Sequence, residues 1–269
     1  MPIAMSGDVR INYAVQGEGP ETVVLVNGVG DDLAAWGGQV PDLLAAGLRV
    51  VAFDNRGSGG SDAPPGPYTS REMARDAKAV VDALGLRSIH LVGVSMGGAI
   101  ALEYAIAFPD DLASVVLANT YASVDPYTYA AFETWALAAE AGGIPLLMRN
   151  MAPWIFSPAF YERGPDTMAR MLVEMQASTQ PIPSFVAQIG ALLTQDAIDR
   201  TGLVRTPALV LVAEDDIIIR PALSRRLFEA LPNGTWLTIP GGHAAFWEDP
   251  GPWNRAVIDF IDAHRVTPG

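Results

Sequence analysis

Six short apolar runs, each closed by a polar or glycine-bearing turn, limit this chain more than any other feature. They are "TVVLVNG" (22–28), "RVVAFD" (49–54), "IHLVGVS" (89–95), "ASVVLAN" (113–119), "PALVLVAE" (207–214) and "TWLTIPGG" (235–242). The first four lack the two-residue alternation of a strand with one wet face, so they suit strands buried on both sides of a parallel sheet. Helical segments separate them. "SREMARDAKAVVDALG" (70–85) has a Ser cap, i/i+3/i+4 apolar spacing and a Gly stop, and "MGGAIALEYAIAFP" (96–109) ends at Pro109. "ALSRRLFEAL" lies between the last two runs, and "PWNRAVIDFIDAH" closes the chain. Strand alternating with helix predicts a parallel α/β sheet. "DVRINYAVQGEG" does alternate, which predicts an antiparallel strand of an edge hairpin.

The rhythm breaks between Tyr121 and Leu203. Aromatics, methionines and prolines crowd this stretch, and Met168, Met171, Leu172 and Met175 fall at helical spacing, so a few short amphipathic helices are expected. The predicted plan is a core of residues 1–120 and 204–269 with a helical cap, 121–203, inserted in it. A chain of 269 residues, half of them hydrophobic, can bury one large core. The net charge of −13 comes without any Lys/Arg cluster, which argues against nucleic acid or an anionic membrane as partner. The chain has no cysteine, which excludes disulfides, thiolate catalysis and Cys-based metal sites. "MPIAMSGDVR" lacks the apolar stretch of a signal peptide, and no run approaches the ~20 apolar residues of a membrane helix. A soluble, cytoplasmic monomer or homodimer acting on a small molecule is therefore expected.

"LVGVSMGG" is the most informative motif. Gly93-Val94-Ser95-Met96-Gly97 fits G-x-S-x-G at the junction of a predicted strand and a predicted helix, the context in which this pattern presents a nucleophile. So tight a turn demands small residues two before and two after the serine. It also puts the Met96 N–H, at the positive end of the helix, beside Ser95. Without partners, such a serine would be no more than part of a glycine-rich turn.

A nucleophilic serine needs a base, and the chain has three histidines. His90 begins the strand that ends at Ser95, roughly 16 Å away at ~3.3 Å per residue. His264 sits in the terminal helix and is expected to be solvated. His243 follows the last strand, at the carboxyl end where a parallel sheet carries its chemistry, and is the base by elimination and position. The acid that orients it should come from Glu214, Asp215 and Asp216, which follow another strand. Only one of three adjacent acids should point inward, because burying like charges together is costly. Asp216 lies furthest beyond the strand end, with Asp215 the alternative.

"VLVNGVGDD" (24–32) invites a different reading, since an apolar strand running into Gly-x-Gly begins many dinucleotide sites, and Asp54 stands where the ribose-binding acid would. Two features oppose it. Leu33 occupies the third glycine position, and Asp31 and Asp32 would face the pyrophosphate. The two aspartates are expected instead to cap a helix beginning near Leu33.

Taken together, "VNGVG", "VVAFDNRGSGGSD", "GVSMGG", "VAEDD" and "GGHAAFWEDP" resemble the α/β-hydrolase superfamily, of the capped single-domain type, along essentially the whole chain. Within it the chain is similar to 3-oxoadipate enol-lactonase-like hydrolases and carboxylesterases. The resemblance implies a mostly parallel eight-stranded sheet flanked by helices. It implies a Ser95–Asp216–His243 triad, since the family's G-x-x-D pattern falls on Ala213-Glu214-Asp215-Asp216. It also implies an oxyanion hole formed by the N–H groups of Val29 and Met96, and requires no metal or organic cofactor. Asn27 replaces the His that many members carry, and Asn119 offers no carboxylate at the alternative acid position. Arg56 and Asp62 of "FDNRGSGGSD" are expected to brace turns in preference to binding substrate. The implied reaction is hydrolysis of an ester or lactone with a largely apolar substrate, for which Gly28, Trp154 and Phe156 are candidate contacts. A C–C bond hydrolase, a cofactor-free haloperoxidase or perhydrolase, and a slow-turnover ligand sensor would share the triad. Families that carry an aspartate nucleophile are disfavoured by Ser95.

Overall fold

The apolar runs are strands of one sheet with a dry core on each side. In the computed structural model, which describes residues 1–176 and 180–265 apart from the side chains of 174–176, the strands are β1 (Ile3–Ser6), β2 (Val9–Gln16), β3 (Thr22–Val26), β4 (Arg49–Phe53), β5 (Ile89–Val94), β6 (Leu112–Ala118), β7 (Ala208–Ala213) and β8 (Gly234–Ile239). Their order is β1-β2-β4-β3-β5-β6-β7-β8. β2 pairs antiparallel with β1 and β4, and β4-β3-β5-β6-β7-β8 are parallel. Alternate residues leave a strand on opposite faces. Val24, Val26, Phe53, Leu91, Val115 and Val210 accordingly belong to one core, and Val23, Leu25, Val50, Val92, Val116 and Leu209 to the other. That double burial is why the sequence pattern shows no alternation.

The first core is closed by α2 (Ser70–Ala83), α3 (Met96–Ala107) and α9 (Pro221–Ala230), through residues such as Met73, Val80, Ile100, Leu102 and Leu227. The second is closed by α1 (Val40–Ala45) and α11 (Pro250–Asp262), through Leu43, Trp253, Val257 and Ile261. One local expectation shifts: Thr69, not Ser70, caps α2, accepting from the Glu72 N–H at 3.1 Å. The alternating segment is β2, antiparallel in the edge hairpin it forms with β1, and β1 is the outermost strand. β1 is only four residues long with Met5 exposed, so it carries little hydrophobic pattern.

Between β6 and β7 lie α4 (Pro126–Ile155), α5 (Pro158–Tyr161), α6 (Pro165–Gln176), α7 (Ile182–Leu193) and α8 (Ile198–Thr201). The sequence suggested short helices here, but α4 runs for 30 residues with one break at Gly143 (φ 66°, ψ −163°). Pro145 lies just past the break, in the first turn of the second segment, where its missing N–H costs nothing. Met168 is buried, and Met171 and Leu172 pack partly against the first core. The side chain of Met175 lies outside the described residues. Among the described residues, no helix is long and apolar enough to cross a membrane.

Candidate active site

Ser95 sits at the tip of the β5–α3 turn with φ 56° and ψ −119°, a left-handed backbone conformation that disfavours a side chain. The glycines around it are sterically required. A Cβ on Gly93 would lie 2.1 Å from the Gly97 carbonyl oxygen, one on Gly97 would lie 2.0 Å from that of Val26, and one on Gly98 would meet Thr120 at 2.6 Å. The turn is tied to β6 by the Ser95 N–H, which donates to Ala118 O at 2.9 Å, and by the Thr120 hydroxyl, which donates to Ser95 O at 2.8 Å.

The structure brings the three expected side chains into one hydrogen-bonded line. His243 Nε2 lies 2.9 Å from Ser95 Oγ, and His243 Nδ1 lies 2.7 Å from Asp216 Oδ2. Asp216 is buried, whereas Glu214 and Asp215 are exposed, so only one acid of the three turns inward. Its other oxygen accepts the N–H groups of Ile218 and Ile219 at 3.0 and 2.8 Å, which fixes the carboxylate's orientation. A carboxylate can only accept, so the facing Nδ1 carries the proton and Nε2 is left to accept from Ser95. The other histidines lie elsewhere. His90 is fully buried against Ser114 at 2.8 Å. His264 is half-buried, not solvated, because its ring packs 4.4 Å from Phe260 and its Nδ1 bonds Phe260 O.

Several residues that hold this line gave no signal in the sequence, since their partners lie far along the chain. Asn119 Nδ2 donates to His243 O at 2.9 Å while its Oδ1 accepts Ala213 N at 3.2 Å, clamping the histidine loop to the end of β7. The Glu248 carboxylate, in α10 (Ala245–Glu248), accepts from Ser157 N (2.6 Å), Ser157 Oγ (2.7 Å) and Gly242 N (3.2 Å). Ala244 N donates to Ile155 O at 2.8 Å, so the same loop is seated on the end of α4.

The loop after β3 runs along the opposite side of Ser95. Asn27, fully buried, donates to Phe53 O at 3.0 Å and accepts from Asn55 Nδ2 through its own carbonyl at 3.0 Å. These bonds brace the loop through Asn27 itself. Gln188 of α7 accepts the Gly30 N–H at 3.0 Å and donates to Arg56 O and Ser58 Oγ, both at 2.9 Å. A glutamine interrupting the apolar run "SFVAQIGALL" was the available hint. Asp54 ties together Asn12, Leu33 and Gly60. Only Asp32 caps the short helix that follows, accepting Ala34 N at 2.8 Å. Asp31 instead turns its carboxyl toward Gly28. Val29 and Met96 are both buried; Val29 follows β3 and lines the same cavity as Ser95, and Met96 follows Ser95 at the start of α3.

A cavity of about 590 Å³ opens over Ser95 and His243. Gly28 lies in its wall, and α4 contributes Trp135, Met148, Met151 and Ile155. Trp154 and Phe156, the expected contacts, are not among the lining residues. Trp154 packs edge-on against Tyr127 at 6.3 Å, and Phe156 stacks on Phe160 at 4.9 Å. The reason is helical phase: Met148, Met151 and Ile155 share one face, and a neighbour one residue away points about 100° off it.

Arg56 and Asp62 lie outside the cavity lining. Arg56 is buried and paired with Asp76 at 2.6 and 2.7 Å and with Glu72. Burial works against its charge, but the two acids hold its pKa above the ordinary value. Asp62 accepts Arg10 N at 2.8 Å. Arg56→Ala strands the buried Asp76, so a loss of about 3–5 kcal/mol in urea unfolding is expected. A loss below about 1 kcal/mol would show that Arg56 is not a brace.

A nearly all-parallel sheet, a serine on a strained strand-to-helix turn and a histidine after the last strand together define a hydrolase-type α/β architecture. The chain belongs to the family described as alpha/beta hydrolase fold, which matches residues 21–250. It is 31% identical over 262 residues to the Variovorax paradoxus (strain S110) protein named "Putative carbamate hydrolase RutD", covering 96% of this chain and 98% of that one. Among solved structures, the enol-lactonase from Burkholderia xenovorans LB400 superposes with a TM-score of 0.88 at 26% identity, covering 97% of this chain and 100% of that one. A thermophilic esterase from Thermogutta terrifontis superposes with a TM-score of 0.87 at 25% identity, covering 98% and 99%.

Proposed function

We propose that the chain is a serine hydrolase that cleaves a carboxylic ester or lactone of a small, largely apolar substrate through an acyl-enzyme on Ser95. The observation that carries this reading is the continuous hydrogen-bonded line Asp216–His243–Ser95 opening into a cavity with mostly apolar walls. His243 Nε2 takes the Ser95 proton as Oγ attacks the carbonyl carbon. Asp216 stabilises the imidazolium that results. The N–H groups of Val29 and Met96 hold the oxyanion, each such donor being worth ~3–4 kcal/mol in the transition state. Collapse of the tetrahedral intermediate breaks the C–O bond, and the imidazolium returns its proton to the leaving oxygen. Water then attacks the acyl-enzyme with His243 as base, and Ser95 leaves with that proton. Residues 121–203 act in this reading as a cap that shields the intermediate from bulk water.

Carbamates are a second substrate class, favoured by the name of the Variovorax relative, because the same attack serves a carbamoyl carbon. The test is a panel of p-nitrophenyl esters, a p-nitrophenyl carbamate and small lactones, each run against Ser95→Ala. Turnover by the wild type that disappears in Ser95→Ala is expected. Equal rates for the two proteins on every substrate would sink the proposal, and turnover of the carbamate alone would replace ester with carbamate.

A further inference from the structure

Two acids that line the cavity, Asp31 and Asp32, have no part in the reaction just described, and Asp32 is already engaged in capping the helix that follows. Asp31 lines the wall together with Ser95 and His243. A Cβ placed on Gly28 would lie 2.9 Å from Asp31 Oδ2 and 3.7 Å from Ser95 Cβ, so the carboxyl and the nucleophile flank the same glycine. None of the described lining residues is Lys or Arg, and Asp31 forms no ion pair with either among the described residues. Three aromatic side chains, Trp135, Phe246 and Trp247, line the same cavity. Aromatic faces attract organic cations, and an enclosed carboxylate gains most from a partner that arrives with a positive charge.

We infer that Asp31 is a specificity-determining residue that selects substrates carrying an ammonium group close to the scissile carbonyl. The inference rests on the hydrolase reading above. Asp31 as a residue is half-buried, but its carboxyl end is enclosed. Burial and the neighbouring Asp32 raise its pKa to about 7, while His243 and the Gly28 N–H pull the other way. Those are the titratable and polar groups that act on it. A carboxylate that lacks a counter-cation in the free protein and sits beside the nucleophile disfavours an anionic substrate by repulsion and favours a cationic one. The carboxyl gains its charge as pH rises through about 7, so the selectivity should strengthen in the same direction.

The test compares butyrylcholine with its uncharged isostere 3,3-dimethylbutyl butyrate. Binding to Ser95→Ala is followed by tryptophan fluorescence, since Trp135 and Trp247 line the cavity. Near pH 8.5 the choline ester should bind at least about tenfold more tightly. The preference should shrink near pH 6, vanish when Asp31→Asn is added to Ser95→Ala, and persist when Asp32→Asn is added instead. Equal affinities in Ser95→Ala, failure of butyrylcholine to bind, survival of the preference in Asp31→Asn, or its equal loss in Asp32→Asn would each overturn the inference. Because binding is read without turnover, that failure is distinct from failure of the hydrolase reading, which shows as the absence of Ser95-dependent hydrolysis in the wild type.

Discussion

Ser95→Gly is expected to abolish hydrolysis and to make the protein more stable. Removing the hydroxyl removes the nucleophile, which should lower kcat/KM by a factor on the order of 10⁴ or more. The stability gain comes from the backbone. At φ 56° and ψ −119° the serine Cβ is held where glycine alone is comfortable, a strain of order 1–3 kcal/mol. Glycine relieves it but has more freedom to lose on folding, about 0.5–1 kcal/mol. The balance should leave roughly 1 kcal/mol of net stabilisation, or about 2–4 °C in Tm for a chain of this size. Ser95→Ala is the control, because it loses the same activity and keeps the strained Cβ. If Ser95→Gly melts at or below the Tm of Ser95→Ala, the turn is not storing strain at this residue.

Asp216→Asn should lower kcat by about 10³–10⁴-fold while leaving the fold intact. The buried carboxylate can only accept at Oδ2, which keeps the His243 proton on Nδ1. An amide can present N–H there instead, and the imidazole then answers by moving its proton to Nε2, facing Ser95 Oγ. In that tautomer the ring cannot take the serine proton. The amide oxygen can still accept Ile218 and Ile219 N–H, so the loop should hold its shape. Asp215→Asn, an exposed neighbour, should stay within about threefold of wild type, as surface substitutions usually do. Comparable losses at positions 215 and 216 would contradict the assignment of the inward acid.

The parts of the fold and site that were legible in sequence are those set by local physics. Strands buried on both faces must be apolar throughout, so β3, β4, β5 and β6 could be read directly. The turn at Ser95 tolerates only small neighbours, and Gly93 and Gly97 announce it. Adjacent acids cannot share a buried site, which left the choice among 214–216 open only until the loop's direction was known. What was not legible depends on packing between distant segments. A few short helices were expected between Tyr121 and Leu203, yet α4 runs for 30 residues across the break at Gly143, with residues of both segments buried in the first core. Ile155 lines the cavity and Trp154 does not, a difference of one residue in phase that only tertiary contacts set. Asn119, Gln188 and Glu248 hold loops 91 to 158 residues away, and no local pattern marks Asn119 or Glu248. Asp31 and Asp32 looked equivalent and both line the cavity, but only the path of the loop lets Asp32 cap the helix and turns the Asp31 carboxyl toward Gly28.

The central claim is that Ser95 is a nucleophile activated by His243. The most direct measurement is reaction with a fluorophosphonate, followed by intact mass and peptide mapping. The wild type is expected to gain one adduct, on the peptide that contains Ser95, and Ser95→Ala and His243→Ala should gain little or none over the same time. An adduct on any other residue, or labelling of Ser95→Ala at the wild-type rate, would contradict the account.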